Sequence, residues 1–171
     1  LGVTVGKLDN SSGKLSSAAG LSLTSAGTLL NRNGSITTDA GLALTSQSLD
    51  NGQAGLLSSK GAAKVVTGTF DNGEGAQLVS GDRLDLEAGQ LNNGQGSRIA
   101  SEKALVASVT GLAQDGGQLF SKTALTLDLN HGQLSNRQGL INAPLLVLNN
   151  LAKVDNQQGE ISSAQSFTLA A

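Results

Sequence analysis

The side chains able to do acid–base, metal or nucleophilic chemistry are few, and their spacing argues against each use. His131 is the only histidine and there is no cysteine, so thiolate metal sites and thiol nucleophiles are excluded. An imidazole needs partners to bind a metal or move a proton, and Asn130-His131 reads as a water-facing insertion between two Leu-rich segments. Asp9, Asp50, Asp71 and Asp155 each precede an asparagine, a pattern that raises calcium. Only Asp50 and Asp71 fall in successive copies of the pattern, however. Leu30, Asn92, Ala113 and Ser135 fill the equivalent positions, and the nonapeptide calcium-roll motif is absent. Asp82, Asp85 and Glu87 beside Arg83 could suggest paired carboxylates for cleaving a polysaccharide. Such sites are framed by long loops, which the short corners here do not offer, so these four read as a solvated charge cluster. No catalytic residue, metal ligand or cofactor is assigned, and the chain reads as a non-enzyme.

What remains is spacing. Leu8-Asp9-Asn10, then Gly13-Lys14-Leu15, then Leu21-Ser22-Leu23 form a unit whose core positions return 21 residues later at Leu29, Ile36, Leu42 and Leu44. Six further copies begin at Leu49, Phe70, Leu91, Leu112, Leu134 and Val154, giving about eight in all. A fixed period of 20 to 22 residues means a solenoid, each copy one coil stacked on the next. Val3-Thr4-Val5 and Phe167-Thr168-Leu169 both match Leu21-Ser22-Leu23. Residues 1–171 are therefore expected to be one repeat segment excised from a longer array.

Composition agrees with a rod without a globular centre. Charged residues make up 14% of the chain, against roughly 25% in ordinary domains. The net charge is −2, and the 11 basic residues are scattered singly, which leaves no stripe for a nucleic-acid backbone. The longest apolar run, Ala143 to Leu148, is too short for a membrane span.

Leu-x-Leu spacing is period two, and glycine interrupts it too often for helices, so the coil is built of strands. Three short strands are expected per coil, one ending near Leu8, one around Leu15 and one through Leu21-Ser22-Leu23. Gly13, Gly34, Gly55, Gly117, Gly139 and Gly159 recur just before the second strand, shifted to Gly75 and Gly96 in two coils whose corner is one residue longer. They are expected to supply positive φ. Leucine-rich repeats share the period and the asparagine, but there Asn follows the second Leu by three residues, whereas Asn31 lies eight after Leu23.

Asn10, Asn31, Asn51, Asn72, Asn93, Asn136 and Asn156 occupy one stacked position, with Gln114 as the exception. They are expected to form a structural ladder of amides at a corner that tolerates left-handed backbone. Phe70 and Phe167 fall at interior positions, as do Leu78, Ile99 and Leu119. If so, Val79, Ala100 and Phe120 point outward from three successive coils as a candidate contact patch, with Val66, Val106 and Val147 as further outward apolar residues. The residues between paired leucines, from Ser22 through Lys64 and Val106 to Thr168, make no threonine ladder for ice binding.

The pattern Leu-Asp-Asn-x-x-Gly-x-Leu-x-Ser followed by Leu-x-Leu resembles the repeats of filamentous haemagglutinin and of contact-dependent growth inhibition exoproteins. The likeness covers nearly all of the chain. Ala113-Gln114 and Ser135-Asn136 depart from the motif in single coils without breaking the register. The resemblance implies a right-handed parallel β-helix, export through an outer-membrane two-partner secretion transporter, and a filament on the bacterial surface. The expected role is then a rigid stalk joined to flanking repeats of the same polypeptide, carrying an adhesive or toxic end. The alternative is a module gripping a host or target-cell receptor or glycan.

Overall fold

A computed structural model describes residues 1–171 as an all-β parallel solenoid of about eight coils, without a helix. Every strand pair is parallel, and leucine stacks on leucine with little interruption. One row runs Leu21, Leu42, Ala63, Leu84, Leu105, Leu125, Leu146, Phe167. A second runs Leu15, Ile36, Leu57, Leu78, Ile99, Leu119, Ile141, Ile161. The third runs Leu8, Leu29, Leu49, Phe70, Leu91, Leu112, Leu134, Val154. At the usual strand separation of about 4.8 Å, eight coils give a rod on the order of 40 Å long.

The three strands of a coil form two sheets, of 13 and 8 strands. The Leu-x-Leu strand bends and continues into the next coil's first strand in Leu42–Asp50, Ala63–Asp71, Ala124–Ser135 and Leu145–Asp155. The strand stays continuous through the bend, with register shifts between Asp128 and Gln133 in the Ala124–Ser135 strand, so one sheet wraps two faces. The third face, which holds the Leu15 row, is the smaller sheet.

Between the sheets lies one cluster of 31 buried apolar residues. Each fully buried Leu contributes roughly 1.5–3 kcal/mol, provided the coils on both sides cover it. Phe167 shows that proviso: it pairs with Leu146 on one side only and is 45% exposed, not interior as its place in the repeat suggests. A further inward position changes character along the rod, reading Ser25, Ser46, Thr67, Ala88, Val109 and Leu129, all buried. In the early coils hydroxyls satisfy one another, as Ser46 Oγ and Thr67 Oγ1 do at 2.9 Å. Later coils fill the same space with hydrocarbon.

The corners correct one expectation. Gly13, Gly34, Gly55, Gly117, Gly139 and Gly159 are not the left-handed residues. That conformation falls on the preceding residue: Ser12, Asn33, Ala54, Gly116, Gln138 and Gln158. In the corners after Asn51, Asn72 and Asn93 two successive residues adopt it, Gln53-Ala54, Glu74-Gly75 and Gln95-Gly96. Glycine at 55 is required instead by close approach. A Cβ there would lie 2.4 Å from the carbonyl oxygens of Asn31 and Asn51 and 2.5 Å from the Asn51 amide oxygen. The corner of its own coil and the Asn31 carbonyl of the adjacent coil together leave no room for a side chain.

Candidate functional site

The asparagine position is the most ordered polar feature. Nδ2 of each residue donates to the amide oxygen of the next coil's residue: Asn10 to Asn31 at 2.8 Å, Asn31 to Asn51 at 2.7 Å, Asn51 to Asn72 at 2.8 Å and Asn72 to Asn93 at 2.9 Å. Gln114 continues the line, accepting from Asn93 at 2.9 Å and donating to Asn136 at 3.1 Å, which donates to Asn156 at 2.7 Å. The second N–H of each donor reaches a carbonyl at the start of a smaller-sheet strand, as from Asn31 to Leu56 at 3.1 Å and from Asn93 to Gln118 at 2.8 Å. From Asn31 to Asn136 the side chains are fully buried, whereas Asn156 is exposed. None of the seven asparagines has positive φ, so the amide, not tolerance of left-handed backbone, accounts for the residue type. The buried rungs from Asn31 to Asn136 have their side-chain amides engaged within the column.

The carboxylate before the asparagine also acts locally. Asp9, Asp50, Asp71 and Asp155 each accept the backbone N–H two residues on, at 2.9, 3.0, 3.0 and 3.3 Å, as Asn92 does at 3.1 Å. These are Asx-turns, in which asparagine serves as well as aspartate. Nowhere do three His, Asp or Glu side chains converge as a metal would need. Arg32 and Arg137 reach back to Asp50 and Asp155 of the next coil at 2.6 and 2.8 Å, and Arg83 clasps Asp85 at 2.9–3.0 Å. These hydrogen bonds raise the three guanidinium pKa values, and Arg137 lowers that of Asp155. The Ser11 hydroxyl and then its N–H hold Asp9 below the usual carboxylate range. Exposed pairs of this kind contribute little to stability.

His131 is exposed, on a bulge where it and Asn130 both have positive φ. The bulge is held by Asp128, which accepts the Asn130 N–H at 2.8 Å and, through both carboxylate oxygens, the side-chain amide nitrogen of Asn150 at 2.9–3.0 Å. The backbone N–H of Asn130 is the largest cause of the lowered Asp128 pKa. Beside it lies a shallow depression of about 520 Å³ reaching Gln90, Gln133, Arg137 and Lys153. The His131 imidazole makes no hydrogen bond there, and Asp155 of the same depression is engaged by Arg137.

On the outer face of the smaller sheet Val79, Ala100 and Phe120 stand in register on successive strands. They do not form an open patch. Val79 and Phe120 are half-buried, and Ala100, expected outside, is only 6% exposed. Its methyl is too short to clear its neighbours, and the Arg98 guanidinium lies over the Phe120 ring at 5.8 Å. The cation–π contact shields one face of the Phe120 ring, and a groove of about 300 Å³ lined by Val79, Ala100, Phe120 and Arg98 remains along the strip.

A buried polar column that the residue pattern left without a role runs inward at the ends of five successive smaller-sheet strands: Thr38, Ser59, Ser80, Ser101 and Ser121. Ser59, Ser80, Ser101 and Ser121 donate to corner carbonyls at 2.9, 2.9, 2.6 and 2.7 Å. The signal was present as a serine or threonine two residues after the second-strand aliphatic in every coil but that of Ile141, where Ala143 stands. The seating of these hydroxyls emerges only once the corner closes over them.

A family model described as haemagglutinin repeat matches residues 1–33, 28–88 and 79–171, overlapping segments that take in the whole chain. No curated protein and no solved structure matches it. The match follows the same repeat that stacks leucine and asparagine in the fold, and the chain belongs to the haemagglutinin repeat family.

Proposed function

We propose that this chain is a stalk segment of a large secreted bacterial surface exoprotein, an adhesin of the filamentous haemagglutinin type or a contact-dependent toxin-delivery protein. Its work is mechanical. The supporting observation is continuity: apolar rows and the amide ladder pass through all eight coils without a break. Nearest-neighbour stacking gives length and stiffness without assigning chemistry to any residue. On this reading residues 1–171 are one stretch of a longer array, its direct partners are flanking coils, and an outer-membrane two-partner transporter exports it. No helix is long and apolar enough to cross a membrane.

The adhesive alternative rests on the half-buried Phe120 strip. Phe120→Glu in the full-length exoprotein separates the two readings. A stalk keeps cell attachment or toxin delivery when this residue changes, whereas deletion of two whole coils shortens the fibre seen by electron microscopy and leaves its end domains active. Attachment lost on Phe120→Glu with an unchanged circular-dichroism spectrum overturns the stalk reading in favour of a receptor- or glycan-binding module.

A further inference from the structure

Four asparagines are followed by glycine: Asn33-Gly34, Asn51-Gly52, Asn72-Gly73 and Asn93-Gly94. In such a pair the glycine nitrogen, once it loses its proton, attacks the asparagine Cγ. The side-chain nitrogen leaves as ammonia and a five-membered succinimide closes. Water then opens the ring at either carbonyl, leaving aspartate or isoaspartate, so the net change is one water consumed and one ammonia released. Glycine permits this because no side chain hinders the attacking nitrogen.

The fold treats the four pairs in opposite ways. Asn51, Asn72 and Asn93 are ladder residues with fully buried side chains, and each amide nitrogen is tied to the next coil's amide oxygen and to a strand carbonyl. Their nucleophiles are tied too. The N–H of Gly52 and of Gly73 donates to the carboxylates of Asp50 and Asp71 at 3.0 Å, and that of Gly94 to the Asn92 amide oxygen at 3.1 Å. Removing a proton beside a carboxylate is electrostatically disfavoured. Asn33 is exposed, its amide makes a single 3.4 Å contact with the Ser12 hydroxyl, and the Gly34 N–H donates to a neutral carbonyl, that of Asn31, at 3.1 Å.

We propose that Asn33 is the site of spontaneous deamidation in the folded rod, and that Asn51, Asn72 and Asn93 react only when the coils that bury them are open. The consequence is directional. An aspartate in the ladder lacks both N–H donors and sets an oxygen against the next coil's amide oxygen, so a chain kept unfolded loses the groups that its ladder needs. The asparagine column is then an irreversible record of how long the chain stayed open. This inference does not depend on the stalk reading, which could fail while it stands.

The test is peptide mapping by mass spectrometry, with isoaspartate resolved chromatographically, after incubating the 171-residue chain at mildly alkaline pH with and without urea. In the folded protein the expected rate at Asn33 exceeds that at each ladder site by about tenfold or more, because ladder sites react only through coil opening. In urea the four rates converge to within a factor of about three, since sequence context alone then acts. Asn33→Gln should remove the native-state product while leaving the three urea-dependent products. Ladder deamidation at the pace of Asn33 in the folded protein, or an inert Asn33 there, overturns the proposal.

Discussion

Asn72→Ala removes one rung from the middle of the ladder, and its cost can be worked from the bonds lost. Asn72 accepts from Asn51 at 2.8 Å and donates to Asn93 Oδ1 at 2.9 Å and to the Arg98 carbonyl at 3.3 Å. Asn51 keeps carbonyl partners at Gln77 and Gly55, at 3.0 and 3.2 Å, so its loss is partial. The Asn93 amide oxygen loses its side-chain donor in a fully buried place. A stranded buried polar group costs about 1–3 kcal/mol, and the vacated volume adds to it, so the variant should lose about 2–4 kcal/mol. Urea unfolding followed by far-ultraviolet circular dichroism reads this, with the exposed Gln77→Ala expected within about 0.5 kcal/mol of the parent. Asn72→Asp adds a sign. Its carboxyl would face acceptors at Asn93 and Arg98, which raises its folded pKa, so its deficit should be smallest in acid and grow as pH rises through that value. An Asn72→Ala loss below about 0.5 kcal/mol would refute the ladder as a source of stability.

Four other outcomes are expected. Ser97 Oγ is the one buried side-chain polar atom without a partner, and Ala76 fills the same place one coil earlier, so Ser97→Ala should stabilise by about 1 kcal/mol in the same urea assay. Gly55→Ala should destabilise by more than the roughly 1–2 kcal/mol of Gly75→Ala: the first meets carbonyl oxygens at 2.4 Å, the second only positive φ in open space. Ser46→Val with Thr67→Val should be near neutral in thermal melts, since both hydroxyls of the 2.9 Å pair go together, whereas either change alone should lower the melting temperature. Asp9, Asp128 and Asp155 have folded pKa values below the ordinary 3.8, so their contribution is present above that value and withdrawn as pH falls below it. The urea midpoint should therefore decline modestly in acid, less so in Asp128→Asn.

Much of the fold was legible because a repeat states the same answer eight times. Leu21, Leu42, Leu84 and Leu105 stand in one row as their period requires, and the asparagines stand above one another for the same reason. Gln114, the exception among the asparagines, is also a rung, because its longer side chain ends in the same amide. The outer strip was less legible. Alternation places Ala100 on the outer side of its strand, but whether a methyl there meets water depends on the size of Val79 and Phe120 and on where Arg98 folds.

The order of residues alone determined the parallel β-solenoid, its coil number, its apolar rows and its amide column, since each follows from period and residue type. The tertiary structure decided what depends on the distance between coils. It showed that Gly55 is glycine because Asn51 of its own corner and the Asn31 carbonyl of the adjacent coil leave no room for a Cβ, that the left-handed residue is the one before it, and that three Leu-rich segments make two sheets. It also showed that Asn51 and Asn33, alike as Asn-Gly pairs, have opposite exposure. The physical reason is that periodicity fixes which residues meet along the axis, whereas clearance, shielding and the bending of a strand at a corner are set by what the neighbouring coil brings there.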